Sequence, residues 1–163
     1  MEKIICTSTE FVEIIEDAVK KGGTMPLVVT GNSMKPFMVD GRDTVWLEAC
    51  SDSDYKRGKI LLFKREDEKI VLHRVRKILP DGTLVMNGDA QYWCEEIKKE
   101  QALAVVTYIE KNGKKISCNS LKYKIIIEVW QLLKPLRPLF FRIEKKIRRI
   151  SIKLNTSSIF KYS

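Results

Sequence analysis

The sequence predicts a mostly β protein of the α+β class, and three observations support that prediction. Short runs rich in β-branched residues recur between turn residues over roughly 95 positions. The segment Lys111-Asn112-Gly113-Lys114 separates two of these runs and is a strong hairpin signal. An amphipathic segment precedes the runs, and a basic, apolar segment follows them. With 163 residues, 44% of them hydrophobic, the chain is long enough for one domain with a full core plus an appendage.

The first element is a short amphipathic helix at residues 8–21. Its apolar side chains recur at three- and four-residue steps, Ser8 or Thr7 is a suitable cap, and Gly22-Gly23 ends the helix. The strands are expected at residues 26–30, 44–48, 59–64, 69–79, 83–87, 102–110 and 115–118. This order predicts a compact antiparallel β domain at residues 24–118, between an N-terminal helix at 1–23 and a tail at 119–163.

Charge separates the tail from the rest of the chain. Residues 1–120 hold 19 Lys+Arg and 19 Asp+Glu, whereas residues 121–163 hold 11 and 2, so the whole excess of +9 lies in the tail. Apolar residues repeat at helical spacing beyond Pro135 and Pro138. Basic amphipathic helices favour a peripheral membrane contact, here through residues 125–154. Packing on the domain is the alternative, and a nucleic-acid arm is not expected because the domain itself is neutral.

Other features limit the location and the chemistry. No stretch approaches the roughly 20 uncharged apolar residues that span a bilayer, and the N-terminus lacks the apolar region of a secretory signal. We therefore expect a protein that is cytoplasmic or peripheral at a membrane. Four isolated thiols are expected to be reduced and buried, with no disulfide framework, no metal site and no cofactor: Cys6, Cys50, Cys94 and Cys118.

The segment Gly31-Asn32-Ser33-Met34-Lys35-Pro36 is a candidate nucleophile turn. A predicted strand ends just before it, and Gly31 allows the backbone to turn sharply. The hydroxyl and amide of Ser33 are then placed to face a substrate. An ordinary strand exit with a solvated serine is the alternative.

His73, the single histidine of the chain, lies within a predicted strand and is a candidate base. Alternation places it on one face of the strand with Val71 and Val75, where burial would keep its pKa low. A satisfied core histidine is the alternative. Asp89 follows another predicted strand and is a candidate to orient the imidazole, whereas Asp43 is interpreted as a turn residue that begins the next strand.

These motifs, taken in order, resemble those of a known family of serine peptidases. Gly31-Asn32-Ser33-Met34-Lys35-Pro36, Gly41-Arg42-Asp43, Val71-Leu72-His73-Arg74-Val75 and Asn87-Gly88-Asp89 are similar to the core of type I signal peptidases and the related LexA-type self-cleaving repressors. The resemblance covers about residues 24–110 and implies a barrel-like antiparallel catalytic core. Because a histidine stands where bacterial members have a lysine, the series most resembles the endoplasmic-reticulum and archaeal branch.

The resemblance assigns roles to individual residues. It implies Ser33 as nucleophile, His73 as general base and Asp89 as orienting acid. The oxyanion and substrate-binding stretch would comprise Gly31, Asn32, Met34 and Pro36. The chain departs from the family in having Gly31 where signal peptidases usually have a serine, in having few polar residues after Asp89, and in beginning with an amphipathic helix instead of a membrane anchor.

The sequence thus predicts a serine endopeptidase that cleaves a peptide, leader or signal peptide of a preprotein. By resemblance, small residues are expected just upstream of the cleaved bond. Two alternatives stay open. One is a LexA-like autoproteolytic regulator, although no helix-turn-helix or Ala-Gly or Cys-Gly cleavage site precedes the core. The other is a catalytically inactive, membrane-associated module that binds peptides.

Overall fold

The structure, a computed structural model, describes residues 8–20, 22–143 and 146–147. Helix α1 (Ser8–Lys20) comes first and α2 (Leu121–Leu132) follows the strands. Residues 137–143 and 146–147 are also helical and are called α3. The strands are β1 (Met25–Val28), β2 (Thr44–Glu48), β3 (Ile60–Lys64), β4 (Ile70–Ile78), β5 (Leu84–Asn87), β6 (Glu95–Ile97), β7 (Ala102–Lys111) and β8 (Lys114–Ser117). Thr7, Cys6 and the part of the predicted tail beyond residue 147 lie outside the described residues.

All described strands join one antiparallel sheet in the order β1-β2-β7-β3-β4-β5-β6, and β8 pairs with the C-terminal half of β7. The prediction of a mostly β protein of the α+β class is confirmed. The prediction of a barrel is not, because the sheet is open: among the described strands, the end strands β1 and β6 do not pair with each other.

The predicted hairpin is present. Strands β7 and β8 pair from Tyr108–Ser117 to Lys111–Lys114, around a turn in which Asn112 and Gly113 have φ of 48° and 75°. Such a turn suits the right-handed twist of the two strands. Strand β6 is an element that the sequence analysis did not predict.

Two apolar cores lie on the two faces of the sheet. On β3, Leu62 belongs to the first cluster and Leu61 to the second, as expected for side chains that alternate across a strand. The first core is covered by α1 through Ile15 and Val19 and by α2 through buried Tyr123 and Ile127. The predicted N-terminal helix therefore packs on the domain through its apolar stripe.

Three described cysteines are unpaired, and they differ in exposure. Cys118 is buried, Cys50 is half-buried and Cys94 is exposed, so the prediction that the thiols are buried is wrong for Cys94. Burial raises the pKa of the Cys118 thiol to about 11. None of the described helices is long and apolar enough to cross a bilayer.

Candidate functional site

The loop that carries Ser33 is fixed at both ends. Gly31 turns the chain with φ of 83°, and its N–H donates to the carboxylate of Asp40 at 3.1 Å. Directly after the serine, the buried side chain of Met34 anchors the loop in the first core. Ser33 itself is half-buried on this well-supported turn.

The other side of Ser33 rests on the loop that follows β5. The carbonyl of Ser33 accepts a hydrogen bond from the N–H of Ala90 at 2.8 Å. A Cβ atom at Gly88 would lie 2.8 Å from the same carbonyl oxygen, closer than real Cβ contacts allow. The absence of a side chain at Gly88 is therefore what lets the two loops meet.

Ser33 is one of the residues that line a cavity of about 440 Å³. The lining includes the stretch from Leu27 to Gly31, which begins in β1, and residues 70–72 of β4. In the described chain β1 pairs only with β2, and β5 pairs with β4 only from Arg74 onward. Two strand edges with unused backbone groups thus border one groove, an arrangement that accepts an extended peptide.

Apolar side chains dominate the lining of this groove, and it contains no charged residue from the described part of the chain. Leu62, Ile70 and Leu72 come from the sheet and Phe11 comes from α1. Such a surface favours an uncharged, apolar segment of peptide, because a charged side chain would lose its hydration there without a partner.

His73 lies two residues beyond Val71 and shares its face of β4, as alternation predicted. The side chain is 1% exposed and packs among the rings of Phe63 and Trp93, with ring centroids 6.0 Å away in both cases. Its Nδ1 lies 2.6 Å from a carboxylate oxygen of Glu95. With Nδ1 as the donor, the neutral ring presents the lone pair of Nε2 as a proton acceptor.

Burial lowers the pKa of His73 below its ordinary value, and Glu95 opposes this shift by favouring the protonated ring. Glu95 is in turn held by Arg65 through two hydrogen bonds to its carboxylate. The guanidinium of Arg65 also lies over the ring of Trp93. Burial thus favours the neutral ring of His73, and the hydrogen bond to Glu95 fixes its orientation, which are properties that a general base needs.

Asp89 does not occupy the place that the sequence analysis gave it. Its carboxylate accepts two hydrogen bonds from Arg74, at 3.0 and 2.6 Å, and both side chains are buried. The register explains why. Arg74 pairs with Asn87, so Asp89, two residues further on, returns to the face of Arg74.

Glu95 is the carboxylate that reaches His73, and it was not among the residues predicted from the sequence. It pairs with Met86 of β5, and Met86 pairs with Val75 of β4. This row lies on the face of His73. Recognition of β6 as a strand would have been the signal, but three residues that include two glutamates do not show a clear strand pattern.

Asp43 has the structural role that the sequence predicted for it. Asp43 is fully buried and accepts hydrogen bonds from its neighbour Arg42 and from the N–H of Val39, directly before β2. Burial alone would raise the pKa of this carboxyl, but these hydrogen bonds outweigh burial and hold the pKa below its ordinary value. Asp43 therefore closes the turn, as its position in the sequence indicated.

The stretch predicted to stabilise the oxyanion has backbone N–H groups that are available as hydrogen-bond donors. The hydrogen bonds within the loop use the N–H groups of Lys35, Phe37 and Met38, and none that the structure describes takes the N–H of Ser33 or Met34. Asn32 and Pro36 are both exposed, and neither lines the groove.

Helices α2 and α3 support the same loop from outside. Trp130 donates to the carbonyl of Asp89 at 2.9 Å, and the guanidinium of Arg74 donates to the hydroxyl of Tyr123 at 3.1 Å. Buried Arg137 donates to the side chain of Asn87 and to the carbonyl of Gln91. The first part of the predicted tail thus packs on the domain, which was one of the alternatives left by the sequence.

No family model matches the chain, and the search of curated proteins finds no match either. The residues of the site offer an alcohol that lines an apolar groove, backbone N–H groups beside it that no described hydrogen bond uses, and an imidazole oriented by a carboxylate. The imidazole of His73 lies on the face of β4 opposite that of the groove residues Ile70 and Leu72. No hydrogen bond joins Ser33 to His73 among the described residues. Catalytic hydrogen bonds are often long in unliganded enzymes and shorten when substrate binds.

Proposed function

We propose that the protein is a serine endopeptidase similar to type I signal peptidases, and that it cleaves an extended peptide such as the leader or signal peptide of a preprotein. The observation that supports it best is the apolar groove that Ser33 lines, together with the free edges of β1 and of the first part of β4 that contribute to it. A peptide there would add a strand, with its backbone hydrogen-bonded to β1 and β4.

In the proposed reaction, Nε2 of His73 takes the proton of the Ser33 hydroxyl as Oγ attacks the peptide carbonyl. The N–H groups of Ser33 and Met34 donate to the oxygen that becomes negatively charged. His73 then gives its proton to the leaving amine, and water hydrolyses the acyl-enzyme by the same route. Glu95 keeps Nδ1 protonated and stabilises the imidazolium, which is the role that the sequence analysis gave to Asp89.

A peptide-binding module without turnover is the second candidate. The observation that favours it is the lack of a hydrogen bond between Ser33 and His73 in the described chain. Such a module would use the groove and leave the bound peptide intact.

Mass spectrometry of a diverse peptide mixture distinguishes the two candidates. The mixture is incubated with the wild type, with Ser33→Ala, and with Ser53→Ala as a control that replaces an exposed serine in the short 3-10 turn after β2. We expect cleavage by the wild type and the control, and a rate about 10⁴- to 10⁶-fold lower for Ser33→Ala. Equal cleavage by Ser33→Ala would refute the proposed nucleophile. Binding of peptides without any cleavage by the wild type would establish the module.

Self-cleavage is checked in the same samples. A shorter form of the wild-type chain that does not appear with Ser33→Ala would indicate an autoproteolytic regulator instead. An intact chain together with cleaved peptides supports an endopeptidase that acts on other chains.

A further inference from the structure

The outward face of α2 is apolar although it faces solvent. Tyr123, Ile127 and Gln131 form the buried stripe of this helix. At 100° per residue, the opposite side carries a second set of apolar side chains, all of them exposed. That set comprises Leu121, Ile125, Ile126, Val129, Leu132 and Leu133.

Helix α3 and the turn before it extend the apolar face. Exposed apolar residues continue at Leu136, Leu139, Phe140, Ile143 and Ile147. Eleven of the eighteen large hydrophobic side chains that are exposed in the described chain lie between residues 121 and 147. We call this set of eleven the apolar tail surface. Large exposed apolar surfaces on monomeric proteins commonly mark a site of interaction with a partner or a membrane.

Cations accompany the apolar tail surface. Lys122, Lys124, Arg142 and Lys146 are exposed on the same two helices. Glu128 is paired with Arg57, so it does not neutralise them. The sequence continues after residue 147 with further basic residues. Residues 121–163 contain 11 Lys+Arg and only two acids.

We infer that the apolar tail surface docks on an anionic lipid bilayer. A second copy of the chain would bring two equally basic surfaces together, and their repulsion opposes that contact. An anionic leaflet instead offers an apolar interior for the isoleucines and leucines and negative headgroups for the lysines and arginines. With 12 residues in α2, the contact is about 18 Å long, which suits a helix that lies in the interface plane. This inference does not depend on the proposed peptidase activity.

Co-sedimentation of the full chain with vesicles tests the inference. One set of vesicles is phosphatidylcholine alone, and the other also contains phosphatidylglycerol. We expect binding to the anionic vesicles only, and weaker binding as salt is added because salt screens the attraction. In Ile125→Glu/Val129→Glu, binding to the anionic vesicles should fall at least about tenfold, since two apolar contacts are lost and two negative charges are added.

Ile14→Glu is the matched control, because Ile14 on α1 and Ile126 on α2 are nearly equally exposed, at 46% and 45%. It should bind as the wild type does. Circular dichroism and thermal unfolding show whether each variant is folded. If the double variant does not fold, Ile126→Ser is used in its place. Absence of binding, equal binding to both vesicles, or equal loss in Ile14→Glu would overturn the inference. The inference would also be overturned if the wild type formed a dimer that the substitutions Ile125→Glu/Val129→Glu dissociate, or if the chain bound duplex DNA and not vesicles.

Discussion

The pair of Arg74 and Asp89 gives the sharpest test of how the site is built. Both side chains are 2% exposed, and the carboxylate makes two hydrogen bonds to the guanidinium. Burial opposes the charged form of Arg74, but Asp89 outweighs it and holds the pKa of Arg74 above its ordinary value. Asp89→Asn keeps the shape and removes the charge, which leaves a buried cation without its counterion.

The expected loss of stability depends on the hydrogen bonds that Arg74 keeps in the variant. Removal of one partner from a buried ion pair costs about 3–5 kcal/mol. Arg74 keeps the carbonyl of Gly58 at 2.8 Å and the hydroxyl of Tyr123 at 3.1 Å, so the lower end applies. We therefore expect Asp89→Asn to lower the free energy of unfolding by about 3 kcal/mol. In urea this is a fall in the midpoint of about 1–3 M, depending on the slope.

Urea unfolding followed by circular dichroism measures this midpoint, with Glu128→Gln as the control. Glu128 also makes several hydrogen bonds to an arginine, Arg57, but these side chains are 47% and 44% exposed. The control should lose less than about 1 kcal/mol, since exposed ion pairs contribute little. If Asp89→Asn and Glu128→Gln unfold at the same midpoint, the argument that Asp89 neutralises a buried cation is refuted.

Two further predictions concern the base and the nucleophile loop. Glu95→Gln should lower the pKa of His73 further and shift the acid limb of the activity profile to lower pH, because the carboxylate that favours the protonated ring is lost. NMR titration of the single imidazole measures this pKa directly, and an unchanged or higher pKa would contradict the orienting role. Gly88→Ala should lower stability by about 1–3 kcal/mol, because its Cβ meets the carbonyl of Ser33 at 2.8 Å. Thermal unfolding checks this, and a melting temperature like that of the wild type would show that the two loops separate freely.

Much of the fold could be predicted from local sequence. The β7–β8 hairpin was predictable because Asn112-Gly113 adopts positive φ readily, which fixes the turn without help from the rest of the molecule. Helix α1 was predictable from the period of its apolar residues. Whether the sheet closes into a barrel could not be predicted, because closure depends on pairing between β1 and β6, and nothing in the sequence of either strand encodes that pairing.

The candidate site was predictable only in part, for a related reason. Ser33 and His73 follow from motif and strand pattern, and the structure places the serine at a groove and the histidine on the face of β4 that alternation assigned. The partner of His73 depends instead on the register of β4 with β5 and of β5 with β6. Glu95 reaches the ring through two successive pairings, and sequence spacing alone favoured the nearer acid, Asp89.

Alternation along β4 separates two tasks that adjacent residues perform. His73 and Arg74 point to opposite faces, so each meets a different carboxylate: Glu95 for the imidazole and Asp89 for the guanidinium. The second pair also ties the loop after β5 to α2, since Trp130 donates to the carbonyl of Asp89. A charge change at Asp89 should therefore act mainly on stability, and one at Glu95 mainly on the titration of His73. The pKa of His73 should fall less in Asp89→Asn than in Glu95→Gln, because Glu95 contacts the ring directly and Asp89 favours its protonated form only from a distance.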